Sequence, residues 1–197
     1  MLNCPVAQAE RGNTMIEILV TLLILAFGLL GLAGLQMRLN SAQMEAYQRA
    51  QAVVLLSDLT ERMYANPAAV VAGSYVTGTT GTSPLGTGNT AQPVTCTGAM
   101  GVARDQCEWH YALLGAAEKS GGANTGAMIG ARGCVEQLQA ATPAPSCNPG
   151  IYRVTVTWQG LSGTVTPVLA CAADKYAGQT ALRRAISATV SIAQKSC

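Results

Sequence analysis

Hydrophobic and polar positions follow three different rules along this chain. From Met15 to Leu35 every residue is apolar or glycine except Glu17 and Thr21. A helix of that length is about 31 Å long, close to the thickness of a bilayer core. Beyond it the apolar residues become periodic. Ala46, Ala50, Val53, Leu56, Leu59 and Met63 recur at three- and four-residue steps, so the helix is predicted to continue with one apolar face. Glu45 with Arg49, and Asp58 with Arg62, are acid-before-base pairs at helical spacing. Asn66-Pro67 is the predicted stop, which makes a single helix of about 80 Å from Asn13 to Ala65.

Past Pro67 the helical period fades. Residues 73–101, rich in Gly and Thr, read as a long loop, and no phosphate-cradling glycine motif occurs in it. A short helix is predicted in "VARDQCEWHYALLGAAEK", ended by Gly121-Gly122, with Cys107, Tyr111 and Leu114 on its inner face. Alternation then takes over. Tyr152, Val154, Val156 and Trp158 alternate with Arg153, Thr155 and Thr157, and Ile186, Ala188, Val190 and Ile192 alternate with Ser187, Thr189 and Ser191. Each pattern predicts a strand with one buried face, and residues 126–138 are expected to add another. The expected class is α+β: a long N-terminal helix, membrane-spanning in its first half, packed on a small antiparallel sheet.

Charge narrows the partners. Only 11% of residues are charged, the net charge is +2, and Arg183-Arg184 is the one adjacent arginine pair. That is not the basic stripe a nucleic-acid binder needs. The seven cysteines say more. Cys4 precedes the apolar run, while Cys96, Cys107, Cys134, Cys147, Cys171 and Cys197 follow it. An even set on one side of a membrane-length segment points to disulfides in an oxidising compartment. Zinc is the rival reading, disfavoured because no pair has CxxC spacing and His110 is the sole histidine. Six cysteines allow about fifteen pairings. Short-range pairing gives Cys96–Cys107, Cys134–Cys147 and Cys171–Cys197. The last would close a loop of about 27 residues, worth roughly 3.5 kcal/mol in the chain-entropy picture.

Glu17 is the anomaly of the apolar run. A carboxylate near the bilayer centre costs on the order of 2.5–3.5 kcal/mol, and less near an interface. Either it lies shallow enough to reach water, or it awaits a cationic partner within the membrane. The run is longer than the roughly 7–15 residues of a cleaved secretory signal and has no small-x-small cut site behind it. Nor is "LNCP" a lipoprotein signal, since no apolar region precedes Cys4. Gly28, Gly31 and Gly34 each cost a helix roughly 1 kcal/mol relative to alanine. They suit either close helix packing or a stretch built to be weak.

No catalytic set can be assembled. His110 stands among ordinary helix residues and is expected at the surface or only partly packed, and no G-x-S-x-G elbow occurs. Glu108 beside Trp109 is expected to be a solvated helix carboxylate. No cofactor is implied.

Gly12-Asn13-Thr14-Met15-Ile16-Glu17 followed by the apolar helix resembles the class III signal of type IV prepilins. That signal is a short leader ending in glycine, then a start with glutamate as the fifth mature residue. The resemblance implies cleavage between Gly12 and Asn13 by a membrane-embedded prepilin peptidase, with N-methylation of the new amine at Asn13. It implies that Glu17 is an assembly charge, meeting the freed α-ammonium of a neighbouring subunit. An unpaired member of a buried pair is costly, so such a pair selects register. It also implies that Gly28, Gly31 and Gly34 are weak points able to extend in a fibre. Asn13 stands where the family has phenylalanine and Met15 where it has leucine.

Further on, "GLLGLAGLQ", the Cys-bearing Gly/Thr loop, the Trp109 helix, "RGCVEQL", "YRVTVTWQG" and "RRAIS" together are similar to the PilV-type minor pilins, the type IV pilus modification proteins. Three segments follow: residues 1–12 as leader, 13–66 as the long helix with its membrane segment at about 15–35, and 67–197 as a periplasmic and then extracellular head. The implied role is a structural subunit of the pilus tip or priming complex, promoting assembly and supporting adhesin display. Its partners would be other minor pilins, the major pilin, prepilin peptidase, the inner-membrane assembly machinery, a tip adhesin, and membrane lipid before assembly. The implied location is the bacterial inner membrane, single-pass with the N-terminus cytoplasmic, and later the fibre. Two alternatives stand beside it: a type II secretion pseudopilin, and an uncut membrane-anchored periplasmic binding module.

Overall fold

A computed structural model of the chain describes residues 14–77, 83–116, 119–124, 126 and 128–194. Helix α1 runs Met15–Ala65 and is followed by α2 (Pro67–Val71), β1 (Leu85–Gly86) and α3 (Gly101–Leu113). A small hairpin of β2 (Lys119–Ser120) and β3 (Ala123–Asn124) comes next, then β4 (Arg132–Gln139), β5 (Gly150–Gln159) and β6 (Arg183–Ile192). The chain divides into two units, residues 1–44 and residues 45–197.

In the first unit the described residues from Met15 onward are helix. Large apolar side chains along it stand in the open, from Met15 at 83% exposure to Leu35 at 54%. The segment is long and apolar enough to cross a membrane, and none of its most apolar stretch is buried within the chain.

The second unit is the α+β head. Its sheet is antiparallel throughout, in the order β1-β4-β5-β6. The last part of α1 lays Ala52, Leu56, Leu59 and Met63 on this sheet, where they join Trp109 and Leu113 of α3 and Val135, Tyr152, Val154, Val156 and Val190. The helix stops where proline makes it stop. Asn66 N–H closes a last turn on Met63 O at 3.2 Å, and Pro67 then opens α2, where a missing N–H costs nothing.

Trp109 is the keystone of this packing. Its indole is fully buried, and its Nε1–H donates to the Leu55 carbonyl of α1 at 2.8 Å. It presses so closely on β4 that a Cβ at position 133 would lie 2.1 Å from its Cη2. Only glycine fits there.

Several expectations need correction. The buried stripe of α1 in the head is Gln48, Ala52, Leu56, Leu59 and Met63, whereas Ala46, Ala50 and Val53 are exposed. The polar Gln48 and small Ala52 hid the true stripe from a hydrophobic count. Helix α3 ends at Leu113, not at Gly121-Gly122, because Gly115 takes a left-handed φ of 77°. Its inner face is Cys107, Trp109, His110 and Leu113, with Tyr111 and Leu114 only half-buried. His110 is buried: its Nδ1 accepts the Gly86 N–H at 3.0 Å, and burial pushes its pKa down. The strand expected at 126–138 is β4, Arg132–Gln139.

Alternation along β5 predicts one wet face, yet Thr155 and Thr157 are buried too. The loop after β5 folds over that face, and Cys134, Cys171, Ala172 and Tyr176 form a second small core. Arg183 holds the loop there. This buried guanidinium donates to the carbonyls of Pro167 (2.6 Å), Leu169 (2.8 Å) and Cys171 (2.8 Å). Cys171 therefore bonds Cys134, overturning both the Cys134–Cys147 and the Cys171–Cys197 pairings. The Cys96–Cys107 pairing is present, tying the Gly/Thr loop to α3. Cys147 is also disulfide-bonded, and Cys197 lies outside the described residues.

Candidate assembly site

The polar residues of the apolar helix sort into one satisfied group and one unsatisfied group. Thr14 leads into the helix: its carbonyl accepts the N–H of Glu17 at 3.0 Å and of Ile18 at 3.4 Å. Glu17 thus lies in the first turn of α1, where exposed N–H groups and the helix dipole favour a negative charge. Thr21 returns its hydroxyl to the Ile18 carbonyl at 2.9 Å, so it needs nothing from outside. Glu17 has no such internal partner: its side chain is exposed and pairs with no cation among the described residues. Between Met15 and Leu35 it is the one ionisable side chain.

Gly12 and Asn13, the expected cleavage and methylation positions, lie outside the described residues. Gly28, Gly31 and Gly34 are all helical, and no atom stands within 4 Å of where a Cβ would project from any of them. Glu17 and these glycines occupy the first unit. The paired cysteines belong to the second, where they staple the head.

The head holds charge clusters that sequence spacing reveals only in part. Asp58 and Arg62 pair as their spacing predicts, at 3.1 Å. Arg62 also meets Asp105 Oδ1 at 3.2 Å and Glu108 Oε2 at 2.6 Å, and Glu108 takes a second cation, Arg104, at 2.7 Å. Burial acts to lower the Arg62 pKa, but hydrogen bonds from its guanidinium to Glu108, Asp58 and Asp105 outweigh it and raise the value. For Glu108 the hydrogen bonds from Arg104 and Arg62 dominate and lower the pKa. Tyr75 donates its hydroxyl to Asp105 Oδ2; burial first, then that carboxylate, pushes the tyrosine up to about 12. These contacts bind α3 to α1.

Glu45 does not pair with Arg49. Its Oε1 accepts from Arg184 Nη2 (3.0 Å), Leu161 N–H (3.1 Å) and Ser162 N–H (3.3 Å), fastening the loop after β5 to α1. Burial alone would raise the Glu45 pKa, but Arg184 and the Ser162 and Leu161 donors overcome it. Partners more than a hundred residues apart leave no local signal. Among the described residues no group of three or more His, Cys, Asp or Glu is placed to hold a metal ion.

Comparison with known families now bears on this arrangement. Residues 8–33 match the family described as the prokaryotic N-terminal methylation motif, a span that contains Gly12, Asn13, Glu17, Gly28 and Gly31. Residues 34–108 match the Tt1218-like family, described as type IV pilin Tt1218, a span from Gly34 through the rest of α1 and most of α3. No curated protein and no solved structure gives a match. The two matched spans adjoin, so residues 8–108 are similar to an N-terminal methylation motif followed by a type IV pilin domain.

Proposed function

We propose that this protein is a minor pilin, a structural subunit of the tip or priming complex of a type IV pilus that promotes assembly and supports adhesin display. The observation that carries the reading is Glu17: a lone carboxylate in the first helical turn of an exposed apolar helix, within the span similar to the N-terminal methylation motif. Cleavage after Gly12 frees an α-amine at Asn13, which is then N-methylated. In a staggered bundle of such helices the Glu17 of one subunit meets the α-ammonium of another, and each offsets the other's desolvation. Before assembly the helix lies in the inner membrane with its N-terminus in the cytoplasm. Gly28, Gly31 and Gly34 each weaken the helix by roughly 1 kcal/mol relative to alanine, and this stretch gives way as subunits pack. Other minor pilins, the major pilin, the inner-membrane assembly machinery and a tip adhesin are the partners of this reading.

Intact-mass measurement of the membrane-extracted chain tests the first step. Cells with active prepilin peptidase should yield a chain that begins at Asn13, and cells without it a chain that keeps residues 1–12. Retention of the leader in both refutes the reading. Glu17→Gln, which keeps size and removes charge, should cut co-purification with the other minor pilins about tenfold, a loss of roughly 1.4 kcal/mol. Undiminished recruitment would end the charge-pair account.

A further inference from the structure

The head carries a cation, Arg132, that makes no ion pair within 4 Å among the described residues and acts on the Asp174 carboxylate only at longer range. Arg132, at the start of β4, is half-buried, and its guanidinium sits 4.9 Å above the ring of Tyr176. Nη1 donates to the Gly130 carbonyl at 3.0 Å. Tyr176 is itself fixed, its hydroxyl 3.0 Å from both Gly130 O and Thr157 Oγ1. Gly130 reaches this geometry at a left-handed φ of 61°, and a Cβ there would stand 3.4 Å from both Arg132 Nη1 and the tyrosine ring. The guanidinium is therefore pre-set rather than free, and among the described residues no carboxylate lies within 4 Å of it.

Two adjoining clefts meet at this arginine. One, of about 330 Å³, is lined by Ser83, Thr87, Asn89, Thr90, Arg132 and Lys175. The other, of about 350 Å³, shares Thr87, Arg132 and Lys175 and adds Gln159, Tyr176 and Gln179. Asp174 pairs with Lys175 at 3.1 Å, is 74% exposed, and is also acted on by the charge of Arg132. Counting Arg132, Lys175 and Asp174, the paired clefts carry a net charge of +1.

We infer that these clefts form a binding site for an acidic sugar, with Arg132 and Lys175 taking the carboxylate and the surrounding hydroxyl and amide groups taking ring hydroxyls. A planar, immobilised guanidinium is the side chain best suited to a carboxylate, because its paired N–H groups match the two oxygens and little entropy is lost on binding. Ser83, Thr87, Asn89, Thr90, Gln159 and Gln179 add hydroxyl and carboxamide groups that both donate and accept, as a sugar's hydroxyls require. Pro84, Ala91, Ile129 and Ala177 make up an apolar part of the lining. With Ile129 as the one large aliphatic side chain in that lining, the clefts do not offer the several apolar anchors of a docked peptide. Nor does it offer a track for a phosphate backbone: two cations in one cleft, on a chain of net charge +2, cannot neutralise a run of phosphates. The site lies wholly within the head and stands whether or not the minor-pilin reading does.

Titration calorimetry on the full chain in lipid nanodiscs tests this, with 3′-sialyllactose and glucuronate as probes. Lactose, inorganic phosphate and a short single-stranded oligonucleotide serve as controls. Both acidic sugars should bind in the millimolar range and lactose should not. Arg132→Gln and Lys175→Gln should each weaken binding about tenfold. Lys175 is well exposed, so its variant should melt like the parent, and it reads the site even where Arg132→Gln disturbs folding. Binding of lactose equal to that of sialyllactose, phosphate binding as tight as either acidic sugar, tighter binding of the oligonucleotide, or no effect of Lys175→Gln overturns the assignment.

Discussion

Gly133→Ala adds one methyl group at the place where the sheet and α3 come closest. The new Cβ would lie 2.1 Å from Trp109 Cη2, 2.6 Å from Cζ3 and 2.9 Å from Cζ2. Carbon atoms in contact settle near 3.5–4.0 Å, so the indole must withdraw by roughly 1.5 Å. Gly133 cannot recede, because its strand is paired on both sides, opposite Leu85 and Val156. Nor is Trp109 free, being fully buried and bonded through Nε1–H to Leu55 O. Overpacking of this kind costs about 1–3 kcal/mol, and loss of the indole hydrogen bond about 1 kcal/mol more, for a total of roughly 2–4 kcal/mol. For a chain of this size that lowers the melting temperature by roughly 5–15 °C. The measurement is thermal unfolding of the full chain, followed by fluorescence of its two tryptophans. Trp109→Phe removes the ring atoms that clash, so the double variant should lose at least about 1 kcal/mol less than the sum of the single losses. A drop of under about 1 kcal/mol for Gly133→Ala, or strict additivity, refutes the wedge.

Removing the Cys134–Cys171 bridge as a double serine variant frees a loop with a sequence separation of 37 residues and should cost about 4 kcal/mol. Removing Cys96–Cys107, with a separation of 11, should cost about 3 kcal/mol, and denaturant unfolding of both variants checks the order. Head stability should also fall between pH 7.5 and 5.5. Burial holds the His110 pKa below its unfolded value, so the stabilisation is full above about pH 6.5 and is lost as pH falls through the folded value. Protonation of Nδ1 also ends the bond it accepts from Gly86 N–H. His110 is the chain's one histidine, so melting curves of His110→Gln should be flat across this window; a slope equal to the parent's would assign the effect elsewhere.

Much of the architecture was legible in local pattern. An apolar run of membrane length with one carboxylate, a helical period ending at Asn66-Pro67, and two alternating segments near the C-terminus each write their element into neighbouring residues. Helix and strand periods are short-range properties, so short-range reading finds them. Glu17 was legible for the same reason: its oddity is defined against its immediate neighbours.

Contacts between distant segments left no such trace. Nothing near Glu45 announces Arg184, nothing near Cys134 selects Cys171 over Cys147, and nothing in "RRAIS" says that Arg183 is buried under three carbonyls. The polar face of β5 was read as wet because alternation reports which residues share a side, not what covers that side. Sequence alone determined the main elements and the lone charge of the apolar run. The tertiary structure alone decided disulfide partners, the buried stripe of α1, the enclosure of His110 and the fixing of the Arg132 guanidinium over Tyr176. Those depend on which surfaces meet, and that is settled by the free energy of the whole packed head rather than by any window of its residues.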